Sequence, residues 1–257
     1  MIKLPILSNT QIKFIKSLTK SRTRKDTNRI LIEGIKCCEE LIKSKYEIDY
    51  LVINSDNKNI NIDLIINEAQ NKSLKIFQTK NSIFETLCDT KTPQGIIAIA
   101  ISQPGSYTTN LSSVVLDNIS DPGNVGTIIR TANWFGIKQI ILYGNCADKY
   151  SPKVIRASMG AVFSMNIISI KNVDALFKHI ADIPLYAASL DGTIEIKKIT
   201  PTKIFALIVG NESNGISPEF KENLIQSFYI EGSGDAESLN VSIATGIALF
   251  HFSSIST

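Results

Sequence analysis

Residues 113–143, SVVLDNISDPGNVGTIIRTANWFGIKQIILY, contain a complete strand–helix–strand unit. Ser113–Leu116 and Gln139–Tyr143 are apolar, largely β-branched runs of strand length. Between them Val125, Ile128, Ile129 and Ala132 recur at helical spacing. They predict a helix over Asn124–Phe135, with Asn124 as its N-cap after the Asp121-Pro122-Gly123 turn. Two strands joined through a helix run parallel. The alternation continues outward. Strands are expected at Met165–Ile170, Leu185–Ser189, Ile204–Val209 and Phe228–Ile230, and helices at Pro152–Met159, Val173–Ile180, Pro218–Ile225 and Leu239–Phe250. The fold class is therefore α/β: a parallel sheet with helices on both faces. In such sheets ligands bind beyond the carboxyl ends of the strands.

The stretch Gln103–Asn110 is rich in turn formers and marks a boundary. Ahead of it, strands at Ile30–Ile32, Tyr50–Ile53 and Gly95–Ile101 and helices at Ile35–Lys43 and Ile62–Gln70 predict a small α/β domain. The expected organisation is a basic arm (1–29), a first domain (30–103), a linker (104–110) and a second domain (111–257). The arm rests on charge. Residues 1–36 carry nine Lys/Arg against Asp26 and Glu33, whereas the whole 257-residue chain is only +3. A basic segment on a near-neutral body is the footprint of a polyanion binder, with Lys20, Arg22, Arg24, Lys25 and Arg29 as candidate nucleic-acid contacts; a solvated terminus would read the same way.

Other classes are excluded. No apolar run reaches membrane length, and the N-terminus has no secretory h-region, so a cytoplasmic protein is expected. Four cysteines without a CxxC pair, and only two histidines, argue against a zinc site; no metal is expected. There is no GxxxxGK[ST], GxSxG or HExxH.

Three loops carry unusual residues. The first, 117–126, leads into a helix bearing Arg130, a cation near a helix start where the dipole disfavours it. The second, 209–218, follows the apolar strand IFALIV and contains Gly210, Asn211 and Glu212. The third, 230–242, is glycine-rich and lacks the third glycine of a dinucleotide fingerprint. Each has a bland reading: Asn124, Ser217 and Ser238 as helix caps, Arg130 as a surface ion-pair partner.

Taken together, LDNISDPGNVGTIIRTANWFGI (116–137), ALIVGNESNGIS (206–217) and IEGSGDAESLNVSIATGIALF (230–250) resemble the three ordered motifs of the SpoU/TrmH family, RNA ribose 2′-O-methyltransferases of the SPOUT superfamily. SPKVIRASMGAVF (151–163) also resembles a family segment, and KSLTKSRTRKDTNRILIEGIKCCEEL (16–41) resembles the L30e-like substrate-binding domain that often precedes the catalytic one. The resemblance implies S-adenosylmethionine as cofactor, a deep trefoil knot in the second domain, a homodimer and an RNA substrate, ribosomal rather than transfer RNA. It implies a catalytic pocket of Asn124, Arg130, Glu212, Ser238 and Asn240, and a cofactor site of Gly210, Ile230 and Leu239 joined by Leu190 and Asn211. Guanidinium stays protonated, so Arg130 is expected to hold a phosphate and stabilise an alkoxide more readily than to act as a base. One departure is clear: Glu231-Gly232 stand where the family usually has proline after the isoleucine of the third motif. Two readings compete: a transfer-RNA 2′-O-methyltransferase, and a catalytically silent RNA-binding paralogue.

Overall fold

The computed structural model describes residues 4–57, 59–180, 183–211, 214–221 and 226–255. In chain order the helices are α1 (Asn9–Ser17), α2 (Ser21–Thr27), α3 (Ile35–Lys43), α4 (Ile60–Asn71), α5 (Asn81–Phe84), α6 (Pro122–Trp134), α7 (Pro152–Ala157), α8 (Val173–Ile180), α9 (Pro218–Lys221) and α10 (Val241–Ile255). The strands are β1 (Arg29–Glu33), β2 (Ile48–Asn54), β3 (Ile76–Thr79), β4 (Ile96–Ile101), β5 (Ser113–Asp117), β6 (Gln139–Tyr143), β7 (Asn166–Ile170), β8 (Leu185–Ala188), β9 (Ile194–Glu195), β10 (Ala206–Val209) and β11 (Gln226–Tyr229). They form two compact units, Met1–Gln103 with Tyr150–Phe163, and Pro104–Lys149 with Ser164–Thr257. Among the described residues no helix is long and apolar enough to cross a membrane.

The first unit is built on a four-stranded sheet, β1-β4-β2-β3, in which only β2 and β3 run parallel. Its basic N-terminal stretch is no separate arm. Ser8 and Gln11 close a capping box that starts α1, and Ile15 and Leu18 are fully buried against Leu31, Val52, Phe84 and Ile97. Amphipathicity at helical spacing outweighs the charge run there. One of the candidate RNA contacts turns inward, and a second is paired within the unit. Arg24 is 5% exposed, and its Nη1 donates to the carbonyls of Leu18 and Thr19 at 2.9 and 2.8 Å, closing the C-terminus of α1. Arg29 Nε donates to Asp49 Oδ2 at 2.6 Å, so its charge is matched within the unit. Lys20, Arg22 and Lys25 stay exposed.

The segment 150–163, expected in the second domain, belongs to the first unit. Tyr46 and Tyr150 share a hydroxyl hydrogen bond of 2.8 Å, and Arg156 Nη2 donates to Asp89 Oδ2 at 2.6 Å. Its Nη1 lies 3.5 Å from Glu33, a buried carboxylate that accepts the Asp89 and Thr90 backbone N–H groups. Burial pushes the Glu33 carboxyl above its ordinary range, against those bonds and Arg156.

The second unit contains seven parallel strands in the order β7-β6-β5-β10-β8-β11-β9. Strands this apolar are covered on both faces. On one side Val115, Ile141 and Ile208 pack with Leu176 of α8 and Phe220 of α9. Elsewhere α10 sends the fully buried Phe252 against Tyr186, Phe205 and Phe228, with ring centroids 5.0–5.7 Å away. Helix α6 starts at Pro122, two residues before its expected start. Asp121, not Asn124, caps it, accepting the Asn124 N–H at 2.9 Å. Helix α10 starts at Val241, two residues late, because the Asn240 side chain accepts the Ser242 N–H at 2.9 Å. The chain path on which a knot depends passes through 212–213 and 222–225, outside the described residues.

Candidate active site

Register sets the site. Val209 at the end of β10 pairs with Leu116 of β5 and with Ala188 of β8, and Ala188 pairs with Phe228 of β11. Four parallel strands thus end at one edge, and the loops after them carry Asn118–Asp121, Ser189–Thr193, Gly210–Ser217 and Ile230–Asn240.

The 210–217 loop doubles back tightly. Asn211 N donates to Gly215 O at 3.0 Å and Gly215 N to Asn211 O at 2.8 Å. A Cβ on Gly210 would lie 2.3 Å from the Gly215 carbonyl carbon and 2.6 Å from Ile216 N, so only glycine fits. Gly192, which carries no signal in the sequence, is as tight against the backbone of Phe228 and Tyr229. Around these strand ends Leu190 and Leu239 are 72% and 46% exposed, and Ile230 is half-buried. Glycine-opened backbone edged by accessible aliphatic side chains suits the flat apolar faces and polar edge of an adenosyl group. Gly210, Asn211, Leu190, Ile230 and Leu239 are the residues here that could hold such a group.

Among the described candidate catalytic residues, the structure brings only Asn124 and Asn240 into direct contact. Asn124 and Asn240, 116 positions apart, meet directly: Asn240 Nδ2 donates to Asn124 Oδ1 at 3.0 Å. Asn240 Oδ1 is held in turn by Ser242, so the asparagine that caps α10 also reads α6. Arg130, on α6 away from the buried face formed by Val125, Ile128, Ile129 and Ala132, is exposed and makes no hydrogen bond or ion pair with any described residue. Ser238 is exposed in the loop before α10 and does not cap it. Glu212 lies outside the described residues. The departure at Glu231 has a local partner: Lys197 Nζ lies 3.7 Å from its carboxylate and 2.8 Å from Glu195. Among the described residues no group of three or more His, Cys, Asp or Glu is placed to share a metal ion.

A cluster at the end of β5 adds residues that the motifs do not single out. Asp117 is fully buried. Its Oδ2 accepts Ser217 N at 2.6 Å, and its Oδ1 accepts Ser217 Oγ at 2.9 Å and Asn118 Nδ2 at 2.7 Å. Burial pushes this carboxyl above the usual range, and those bonds pull it back. The one signal for it in the sequence is a carboxylate directly after the apolar run Val114–Leu116.

The chain matches the SpoU rRNA Methylase family over residues 112–250 and an MRM3-like substrate binding domain over 9–98. It is 28% identical over 253 residues to the 23S rRNA (guanosine(2553)-2′-O)-methyltransferase RlmP of Bacillus subtilis, covering 98% of this chain and 99% of that one. Among solved structures it is similar to an RNA methyltransferase assigned to the TrmH family from Porphyromonas gingivalis (31% identity, TM-score 0.82, 96% and 98% of the two chains). It is also similar to an AdoMet-bound rRNA methyltransferase from Sinorhizobium meliloti (28%, 0.83, 96% and 95%). The motif order, the glycine-opened strand ends, the paired asparagines and a family match over more than half of the residues agree: this chain belongs to the SpoU rRNA methylase family.

Proposed function

We propose that the chain transfers the methyl group of S-adenosylmethionine to a ribose 2′-hydroxyl of RNA, with 23S ribosomal RNA as substrate. The observation that carries the reading is the Asn124–Asn240 contact, which joins the first and third motif loops beside a helix presenting an arginine with no described partner. When bound, S-adenosylmethionine supplies a methyl group on a positively charged sulfur. The chain's residues do the rest. Gly210, Asn211, Leu190, Ile230 and Leu239 would hold the adenosyl group and so orient the donor toward the ribose oxygen. Arg130 would offer a planar fork of donors to the phosphate beside the target ribose and stabilise the negative charge developing on the 2′-oxygen, whose proton passes to solvent water. Asn124 and Asn240 would orient the ribose, and Ser238 and Glu212 are assigned to the same step by the family resemblance alone. RNA as substrate is further supported by the N-terminal match and by the exposed cations of α1 and α2. The four unpaired thiols suit the reducing interior of a cell.

The reading is tested by incubating the protein with labelled S-adenosylmethionine and ribosomal RNA that lacks its modification, then analysing nucleosides by mass spectrometry. A 2′-O-methylnucleoside is expected. Label in transfer RNA alone would move the substrate to that class, and cofactor binding with no transfer to any RNA would identify a silent paralogue.

Lys13, Lys16, Lys20 and Lys25 are exposed on or beside the two N-terminal helices. Their joint replacement by alanine is expected to weaken RNA binding and flatten its salt dependence, the log–log slope falling by about 0.7 for each phosphate no longer neutralised. An unchanged slope would place the RNA on another face. Deleting residues 1–29 would not test this, since Ile15 and Leu18 would leave the core.

We further propose a homodimer formed through α10. Ile243, Ile247 and Phe250 follow one helix stripe at 53%, 37% and 62% exposure, and Trp134 at the end of the adjacent α6 is 84% exposed. A two-fold interface uses the same patch on both copies, and an exposed apolar stripe on one helix pair offers such a patch. Ile247→Glu with Phe250→Glu is expected to give a monomer by sedimentation; an unchanged dimer mass would refute this face.

A further inference from the structure

We infer that Asp117, with Asn118 and Ser217, forms a positioning clamp that ties the cofactor loop to the arginine-bearing helix. The inference rests on the proposed reaction and extends it to residues with no role so far. Two segments 100 positions apart in sequence converge there. Asp117 ends β5, and Asn118 opens the loop that becomes α6 and Arg130. Ser217 ends the 210–217 loop.

The hydrogen bonds run in two layers. In the lower, the Asp117 carboxylate takes both donors of Ser217 and the side-chain amide of Asn118, whose Nδ2 also lies 3.3 Å from Ser217 Oγ. In the upper, Asn211 Nδ2 donates to the Asn118 main-chain carbonyl at 3.1 Å. Asn118 holds a left-handed conformation, φ 55°, which asparagine tolerates better than most residues. Its Oδ1 accepts Asn145 N at 2.9 Å, tying in the loop after β6 as well. Both limbs of the cofactor loop, Asn211 outgoing and Ser217 returning, are therefore pinned to the two residues that launch the first motif.

The consequence for the reaction is geometric. In-line transfer tolerates little error between donor carbon and acceptor oxygen. On the proposed reading the donor would lie against Gly210, Asn211, Ile230 and Leu239, and the acceptor beside α6. Asp117 is fully buried, so it would set the offset between them as a positioning residue. An unpaired carboxylate at this depth would be costly, so its satisfaction by Ser217 and Asn118 keeps the clamp closed.

The test uses the full chain. Ser217→Ala removes one of the four clamp donors and keeps the Ser217 N–H, and Ser217→Thr restores the hydroxyl at a helix-cap position that threonine accepts. Asn118→Gly keeps the left-handed backbone and removes the side-chain bonds to Asp117 and Asn145. The expected result is that Ser217→Ala and Asn118→Gly each bind S-adenosylmethionine about 3- to 10-fold more weakly by calorimetry. Each should also lose kcat at saturating cofactor, and Ser217→Thr should return both constants to within about 2-fold of the parent. A merely structural role would lower the melting temperature and leave KM and kcat unchanged for the folded fraction; that outcome, or wild-type binding and turnover by both variants, overturns the clamp alone. Failure of the unsubstituted chain to bind S-adenosylmethionine overturns the functional reading, and the clamp with it.

Discussion

Arg130→Ala is expected to lower methyl transfer by about two to three orders of magnitude, the loss seen when a single preorganised charge-stabilising donor is removed. S-adenosylmethionine affinity should stay within a few-fold of the parent. The asymmetry follows from where Arg130 sits. It is exposed on α6, makes no bond with any described residue, and lies off the buried stripe of Val125, Ile128, Ile129 and Ala132. Alanine is the best helix former, so α6 keeps its shape, and an exposed substitution of this kind shifts stability by no more than about 0.5 kcal/mol. The proposed cofactor residues lie on other loops. Arg130→Lys keeps the charge and loses the two-pronged fork, so it should recover only part of the rate. Single-turnover transfer to RNA, read beside calorimetric cofactor binding, separates the two quantities. Equal losses in binding and turnover would show that Arg130 supports the pocket. No loss in either would remove it from the reaction.

The second unit is the more legible half in the sequence, and the reason is periodicity. Its strands are nearly continuous apolar runs, and α6 and α8 carry clear helical stripes, so the spacing locates these elements, though their ends shift by a residue or two. Those shifts are matters of capping. Asp121 and Asn240 outcompete Asn124 and Ser238 because their side chains reach the backbone N–H groups of the first turn, which spacing alone does not reveal. The first unit is less legible where charge hides amphipathicity. The nine cations of residues 1–36 mask the stripe that buries Ile15 and Leu18, and Arg24 reads as an RNA contact until its carbonyl partners are known. The place of 150–163 in the first unit is invisible in the sequence, because it depends on long-range packing that no local pattern encodes. At the site, residue types identify the loops but not their internal bonds. Asp117 looks like the end of a strand, and its three-donor arrangement depends on Ser217, 100 positions later.

Gly210→Ala is expected to reduce S-adenosylmethionine binding by at least about ten-fold, equivalent to about 1.4 kcal/mol, and to lower the melting temperature. Glycine is among the least specific letters in a loop sequence, yet packing ranks these glycines sharply. Gly210 does not adopt a left-handed backbone, so alanine meets no conformational penalty there; the obstacle is steric. Its Cβ would fall 2.3 Å from both the carbonyl carbon and the oxygen of Gly215 and 2.6 Å from Ile216 N. All three are backbone atoms, so no rotamer change relieves the overlap. The loop must open, and opening it strains the paired Asn211–Gly215 bonds of 3.0 and 2.8 Å, each worth about 1 kcal/mol net. Overpacking of this kind costs about 1–3 kcal/mol. Gly234→Ala is the matched control, because a Cβ at Gly234 meets nothing within 4 Å. It should bind cofactor as the parent does. Kinetically, Gly210→Ala should raise KM for S-adenosylmethionine, whereas Arg130→Ala lowers kcat, so the two variants separate holding the donor from activating the acceptor. Parent-like cofactor binding by Gly210→Ala would mean that the 210–217 loop opens without consequence, and the adenosyl group would then have to be held elsewhere along the strand ends.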